Sequence, residues 1–257
     1  MKLAAVFVVW DDWELLFKSI DNIEPVVDGV IVVYSETSNF GEISEPPFLL
    51  KACKVEGVYQ YEPNLKLTPR ENETNKRNYG LGIARELGYT HFLMMDADEF
   101  YEPEPFLKEK EKFKNPDLMG LVCQCQTYFK SPGLTIGLDT TLVPFIHKLT
   151  PTIAHAFNKS YPFAWINGQI RIDPTRSLNI NSRVERTDLI MDHFSWYRRD
   201  YSKKIRNSTA RRNIETSTII EDLRNAKEGY FCKFYQKTLI ACDNKYNLPL
   251  YEDNIIP

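Results

Sequence analysis

His91-Phe-Leu-Met-Met-Asp96-Ala97-Asp98-Glu99-Phe100 decides the fold of this chain. His91 to Met95 reads as a short buried strand, and three carboxylates follow it at once. Residues two apart on an extended chain point the same way, so Asp96 and Asp98 can converge on one cation. In open α/β sheets, ligands bind beyond the carboxyl ends of the strands, which is where this cluster falls. Hard cations such as Mg²⁺ and Mn²⁺ prefer carboxylate oxygens together with phosphate oxygens. A metal there would hold a diphosphate and neutralise its charge as it leaves. A bare D-x-D is more often a solvated acidic loop; the apolar strand and the helix ahead of this one favour a site.

Upstream, Lys2 to Val9 is a β-branched run suited to a buried parallel strand. Asp11 and Asp12 follow and can cap a helix carrying Leu15, Leu16, Phe17 and Ile20. Gly29 precedes a second strand, Val30 to Tyr34, and Val55 to Tyr59 is a third. Thr68 to Asn72 reads as turn and helix entry, with the helix from about Glu73 to Leu87 stopped by Gly88. Strand, helix, strand, strand, helix, strand over the first hundred residues predicts an α/β fold with a mostly parallel, Rossmann-like central sheet and helices on both faces.

Downstream come a charged helix, Phe106 to Phe113, a strand, Met119 to Phe129, and β runs such as Leu142 to Leu149. Leu189 to Met191 reads as a short strand with Asp192 and His193 behind it. Asp200 to Ala226 reads as largely helical, and an aromatic tail begins at Gly229. There is no repeat and no low-complexity linker. The expected organisation is one domain over 1–257, with a donor half (1–105), an acceptor half (106–195) and a helical C-terminal extension (196–257).

The chain has 257 residues and a formal net charge of -3, so global charge does not advertise nucleic acid or membrane binding. Cys53, Cys123, Cys125, Cys232 and Cys242 are odd in number and include no CxxC, which reads as reduced thiols in a reducing compartment. Leu3 to Trp10 is too short for a membrane span, and no other stretch is long enough. The expected location is the cytoplasm, or the host cytoplasm for a viral protein.

Glu73-Thr-Asn-Lys76-Arg77-Asn78-Tyr-Gly80-Leu, followed by Leu93-Met-Met-Asp96-Ala97-Asp98-Glu99, resembles the donor half of GT-A glycosyltransferases, especially the family-two-like enzymes of bacteria and large DNA viruses. The resemblance covers residues 1 to 105 and one later patch near His193. It implies a hexosyl- or pentosyltransferase that moves a sugar from a nucleotide-diphosphate sugar, UDP- or GDP-linked, to an acceptor hydroxyl with Mn²⁺ or Mg²⁺. It also implies roles: Asp11 or Asp12 near the nucleoside, Glu36 on the base or ribose, Lys76 or Arg77 at the base or the acidic motif, Asp96 facing ribose and metal, and Asp98 as principal metal ligand. Strand one ends in Trp10-Asp11-Asp12 where many relatives carry Asn-Glu, and strand two leads to Glu36 where Asp is common.

In Asp192-His193-Phe194-Ser195-Trp196-Tyr197-Arg198-Arg199, a neutral imidazole at His193 can serve as third metal ligand, as in the H-F-S-x-x-R segment of many such enzymes. A buried histidine bonded to backbone is the competing reading. Arg199, Lys203 and Arg206 stand at helical spacing, and Arg198 or Lys203 is the candidate to offset the diphosphate. The same basic patch, with Arg211 and Arg212, could instead meet the phosphates of a nucleic acid acceptor. An inverting transfer needs a carboxylate base, for which Asp173 is favoured over Asp139, Glu185 and Asp188 by analogy with the fold. The acceptor is a glycan, a protein or a hydroxylated base of viral DNA. Two alternatives stand beside inversion: a retaining transferase, and a non-catalytic nucleotide-sugar-binding module.

Overall fold

The computed structural model describes residues 1–11, 13–44, 46–47, 55–156, 171–173, 175–180, 182, 184–207, 215–251 and 255–256. Asp12, Cys53, Arg211 and Arg212 lie outside them. Two compact units form, Met1–Cys125 with Thr140–Met191, and Gln126–Asp139 with Asp192–Pro257.

The first unit begins with β1 (Leu3–Val9), α1 (Trp13–Ile23), β2 (Gly29–Tyr34), β3 (Gly57–Gln60), α2 (Pro69–Glu86) and β4 (His91–Met95). It continues with β5 (Glu99–Tyr101), α3 (Pro103–Lys110), β6 (Gly120–Phe129), β7 (Ser131–Lys148), β8 (Arg171–Ile172) and β9 (Val184–Trp196), of which β6, β7 and β9 run on into the second. β1 pairs in parallel with β2 on one side and β4 on the other, so that Phe7 lies between Val32 and Met95. β3 joins β2 in parallel, and β7 joins β4 antiparallel. The sheet is therefore mostly parallel around β1, as the order of predicted elements requires.

Alternation along the strands feeds two cores. Leu3, Ala5, Phe7 and Val9 of β1 pack with Val30 and Val32 of β2 and with Leu16, Ile20 and Ile23 of α1. Ala4 and Val6 pack with Ile31 and Val33 and with Leu81, Ile83 and Ala84 of α2. A strand buried on both faces needs apolar residues at every position, which is why these segments read as continuous β-branched runs.

Helix α2 starts earlier than the expected Glu73. Thr68 caps it, accepting from the Glu71 N–H while Glu71 accepts from the Thr68 N–H, and Pro69 fills the first helical position. This capping box occupies the segment read as turn and helix entry. Gly88, at φ +73, ends it as expected. Gly80 lets the helix backbone close on the sheet: a Cβ there would stand 2.6 Å from Val6 Cγ1 and 3.3 Å from Val33 Cγ2.

Three other expectations change. β9 spans thirteen residues, so Asp192 and His193 lie within a strand rather than behind a short one. The run read as Leu142 to Leu149 is the end of the long strand β7, which stops at Lys148. In the second unit, the stretch from Asp200 holds, among the described residues, the helices α4 (Tyr201–Asn207) and α5 (Thr216–Asn225), followed by β10 (Phe231–Cys232), β11 (Lys237–Thr238) and β12 (Ile240–Ala241). Phe129, Ile136, Trp196, Tyr201, Ile219, Leu223 and Leu239 form its core. Asp222, fully buried, accepts from Tyr230 Oη, Cys232 Sγ and the Lys233 and Phe234 amides, and so anchors the chain after α5. Cys123, Cys125, Cys232 and Cys242 are free thiols. Among the described residues no helix is long and apolar enough to cross a membrane.

Candidate active site

The chain builds β2 and β3 to one side of β1, then returns to place β4 on the other side. Strand order reverses between β1 and β4, and a crevice opens at their carboxyl ends in such sheets. Val9 ends β1 and Met95 ends β4.

Asp96 follows β4 directly. Ala97 and Asp98 form a turn, and Glu99 opens β5. The extended geometry expected for Asp96 and Asp98 is thus replaced by a bend, for which two bonds give the cause. Glu99 Oε2 accepts from the Asp96 N–H at 3.1 Å, and the Glu99 carbonyl accepts from Ser19 Oγ of α1 at 2.6 Å. Asp98 and Glu99 are buried, with carboxylate oxygens within 4.8 Å of each other; the Asp96 side chain keeps 29% exposure.

Two consecutive basic residues of α2 reach the two strand ends. Lys76 Nζ donates to the Val9 carbonyl at 2.5 Å. Arg77 Nη2 meets Asp96 Oδ1 and Glu73 Oε1, each at 3.1 Å. Burial, reinforced by Arg77, pulls the Lys76 ammonium down to about 7. Burial works against Arg77 as well, but Asp96, Glu73 and Asp173 together outweigh it and the guanidinium stays charged. Arg77 Nε and Nη1 and Glu73 Oε2 are buried with no hydrogen-bond partner among the described residues. Asn78, next in the helix, exchanges two hydrogen bonds with the backbone of His155, which gives the R-N pair its structural half.

Sequence reasoning missed Arg176. Its side chain is 3% exposed. Both Glu99 oxygens accept from it, Oε2 from Nη1 at 3.0 Å and Oε1 from Nη2, and Asp96 Oδ2 accepts from Nη2 at 2.5 Å. Burial opposes its charge too, and Asp96 and Glu99 hold the guanidinium protonated. The only hint in the sequence is its position three residues after Asp173, at the close of a turn.

Asp173, the candidate base, lies just beyond β8, with Oδ1 accepting from the Thr175 amide and hydroxyl and Oδ2 3.5 Å from Arg176 Nε. Beyond β1 and β2, Ser44 ties two other candidates together. Its hydroxyl donates to Asp11 Oδ1 at 2.5 Å and its amide to the Glu36 carbonyl at 2.8 Å, leaving the Glu36 side chain exposed. The structure therefore gathers Lys76, Arg77, Asp96, Asp98 and Asp173 around one ionic cluster in the first unit. His193, Arg198 and Lys203 belong to the second unit: His193 half-buried on β9, Arg198 buried, and Lys203 half-buried on α4. His91, His147 and His155 are buried, consistent with the structural role expected of them.

No protein-family model matches the sequence, and no curated protein matches it. Solved structures resemble it at low identity. S. aureus TarS 1-349 is 14% identical, with a TM-score of 0.45, over 88% of this chain and 66% of that one. The same protein in complex with UDP is 17% identical, with a TM-score of 0.32, over 49% and 36%. Mannose-1-phosphate geranyltransferase from Thermus thermophilus is 14% identical, with a TM-score of 0.32, over 52% and 45%. The chain spans less than two thirds of each of these, and TM-scores below 0.5 assign it no function.

Proposed function

We propose that this chain is a metal-dependent glycosyltransferase of the GT-A kind, moving a sugar from a UDP- or GDP-sugar to an acceptor hydroxyl with inversion. The observation that carries the reading is the ionic cluster at the point where strand order reverses: Asp96 and Asp98 behind β4, with Lys76 and Arg77 reaching the ends of β1 and β4. Such a crevice is where a parallel sheet binds nucleotides. The buried Arg77 N–H groups without an acceptor are donors that a nucleotide's oxygens would satisfy.

The donor chemistry fits a hard cation. Glu73, Asp96, Asp98, Glu99 and Asp173 outnumber Lys76, Arg77 and Arg176, and a divalent ion offsets that excess. Asp98 would hold Mn²⁺ or Mg²⁺, with Asp96 and His193. For His193 the support is chain continuity: Met191, two residues earlier on β9, packs in the same core as Met95 and Ala97. The ion supplies charge to the departing diphosphate. Asp11 and Glu36 would meet the nucleoside, Arg198 and Lys203 the diphosphate, and Asp173 would take the acceptor proton. The acceptor is a glycan, a protein or a hydroxylated nucleic acid base.

One observation favours a second reading, a nucleotide-sugar-binding module without turnover: guanidiniums already engage both Asp96 oxygens. A thermal-shift screen of UDP, GDP and their sugars, with and without MnCl₂, tests both. Stabilisation that needs metal and nucleotide together supports the site, since a ligand that binds only the folded state raises apparent stability. No response to any metal–nucleotide pair overturns it. Stabilisation without turnover on any acceptor selects the binding module.

A further inference from the structure

The Arg176 guanidinium joins two parts of the first unit. Its Nη1 and Nη2 grip Glu99, its Nη2 also meets Asp96, and its Nε faces Asp173. Glu99 and Asp96 stand on the acidic loop behind β4; Asp173 stands on the turn behind β8. Thr175 takes up Asp173 Oδ1, and the Arg176 amide closes the turn on the Asp173 carbonyl at 3.1 Å. Oδ2 is then the oxygen left for chemistry. At 3.5 Å, Arg176 Nε directs it by charge rather than by a full hydrogen bond.

We propose that Arg176 is a positioning residue for sugar transfer, registering Asp173 against Asp96 and Asp98 so that the base and the donor site keep one geometry. The proposal rests on the glycosyltransferase reading above. In the step it serves, the acceptor oxygen bonds to the anomeric carbon and its proton passes to Asp173 Oδ2. The bond from that carbon to the phosphate oxygen breaks, and the nucleoside diphosphate leaves with the electron pair. A base works only within hydrogen-bond reach of the proton it takes, so an error of about 1 Å in Asp173 is felt in turnover. The guanidinium joins Asp173 side chain to side chain with the acidic loop after β4. Its rigid fork meets three carboxylates at fixed angles, which a lysine, a point charge on a flexible stem, cannot reproduce.

The test compares Arg176→Lys, Asp173→Asn and the double variant in the full chain. Binding of UDP and of GDP is measured with MnCl₂. Hydrolysis is followed for UDP-glucose, UDP-galactose, UDP-N-acetylglucosamine and GDP-mannose. Arg176→Lys should keep nucleotide affinity and donor KM within about threefold while kcat falls by about 10²-fold, a typical acid–base contribution. The double variant should be no slower than Asp173→Asn, because the two residues act as a unit. Losses that multiply in the double variant, or loss of nucleotide binding in step with kcat, overturn the proposal and leave the transferase reading standing. A wild-type chain inert on all four donors overturns both. If Arg176→Lys does not fold, the pair Glu99→Leu with Arg176→Met removes both buried charges together and is held to the same criteria.

Discussion

Glu99 and Arg176, 77 residues apart in sequence, meet as a two-pronged ion pair with 0% and 3% side-chain exposure. Removing either charge alone breaks the pair: Glu99 would lose the guanidinium from which both its oxygens accept, and Arg176 would be left with Asp96 and Asp173. Glu99→Ala should lower unfolding free energy by about 3–5 kcal/mol in urea titrations, the usual cost of breaking a buried pair. Glu99→Leu with Arg176→Met should recover most of that loss. A single substitution costing under about 1 kcal/mol would show that the pair is solvated.

Asp98 carries the metal assignment. Asp98→Asn keeps the shape of the side chain and removes its charge, so the fold should survive while the joint stabilisation by Mn²⁺ and nucleotide disappears. Donor turnover in that variant should fall by at least about 10²-fold, the scale on which electrostatic stabilisation acts. Undiminished turnover would remove Asp98 from the site.

Acid should weaken the fold through its buried histidines. Burial holds His91 down at about 4 and His147 at about 3, and pushes His155 well below its ordinary value. In the unfolded chain all three titrate near about 6.5. Above that pH neither state binds the protons, and these residues contribute no slope. Below it the unfolded chain takes them up first, so stability falls as pH drops from about 6.5 toward 4, by up to about 1.4 kcal/mol per pH unit for each histidine. Urea midpoints at pH 7.5, 6 and 5 would show the decline, and His147→Gln should flatten it.

Asp222 should be the weak point of the second unit. Asp222→Ala strips four donors of one acceptor and should cost about 1–3 kcal/mol for the buried groups left unpaired. Hydrogen exchange at the Lys233 and Phe234 amides should accelerate, while the amides of β1 and β4 keep their protection.

The first hundred residues of the fold are legible in the sequence because their strands are buried on both faces and their punctuation is local. Runs such as Leu3–Val9 and Gly29–Tyr34 admit few other structures, and Gly88 marks a helix end unaided. The start of α2 is read a few residues late because Thr68-Pro69-Arg70-Glu71 carries a capping box whose residues also suit a turn leading into a helix. The long strands β7 and β9 come out truncated because parts of each contain polar residues that only tertiary pairing makes extended. At the site, Asp96 and Asp98 announce themselves by spacing. Their bend does not, since it is imposed by hydrogen bonds of Glu99 to the Asp96 amide and to Ser19 of α1, which spacing alone does not reveal. Apart from its place three residues after Asp173, Arg176 leaves no mark in its own neighbourhood: two of its three carboxylates lie some eighty residues earlier.

Gly80 sits one helical turn beyond Lys76, where α2 lies against Val6 and Val33. A single methyl at that point, far from any reacting atom, would act as a wedge. It would lift the helix from the strands beneath, and the ammonium on Val9 and the guanidinium on Asp96 would retreat together, since both ride on the same rod. The absence of a side chain at one position thus sets the reach of two others.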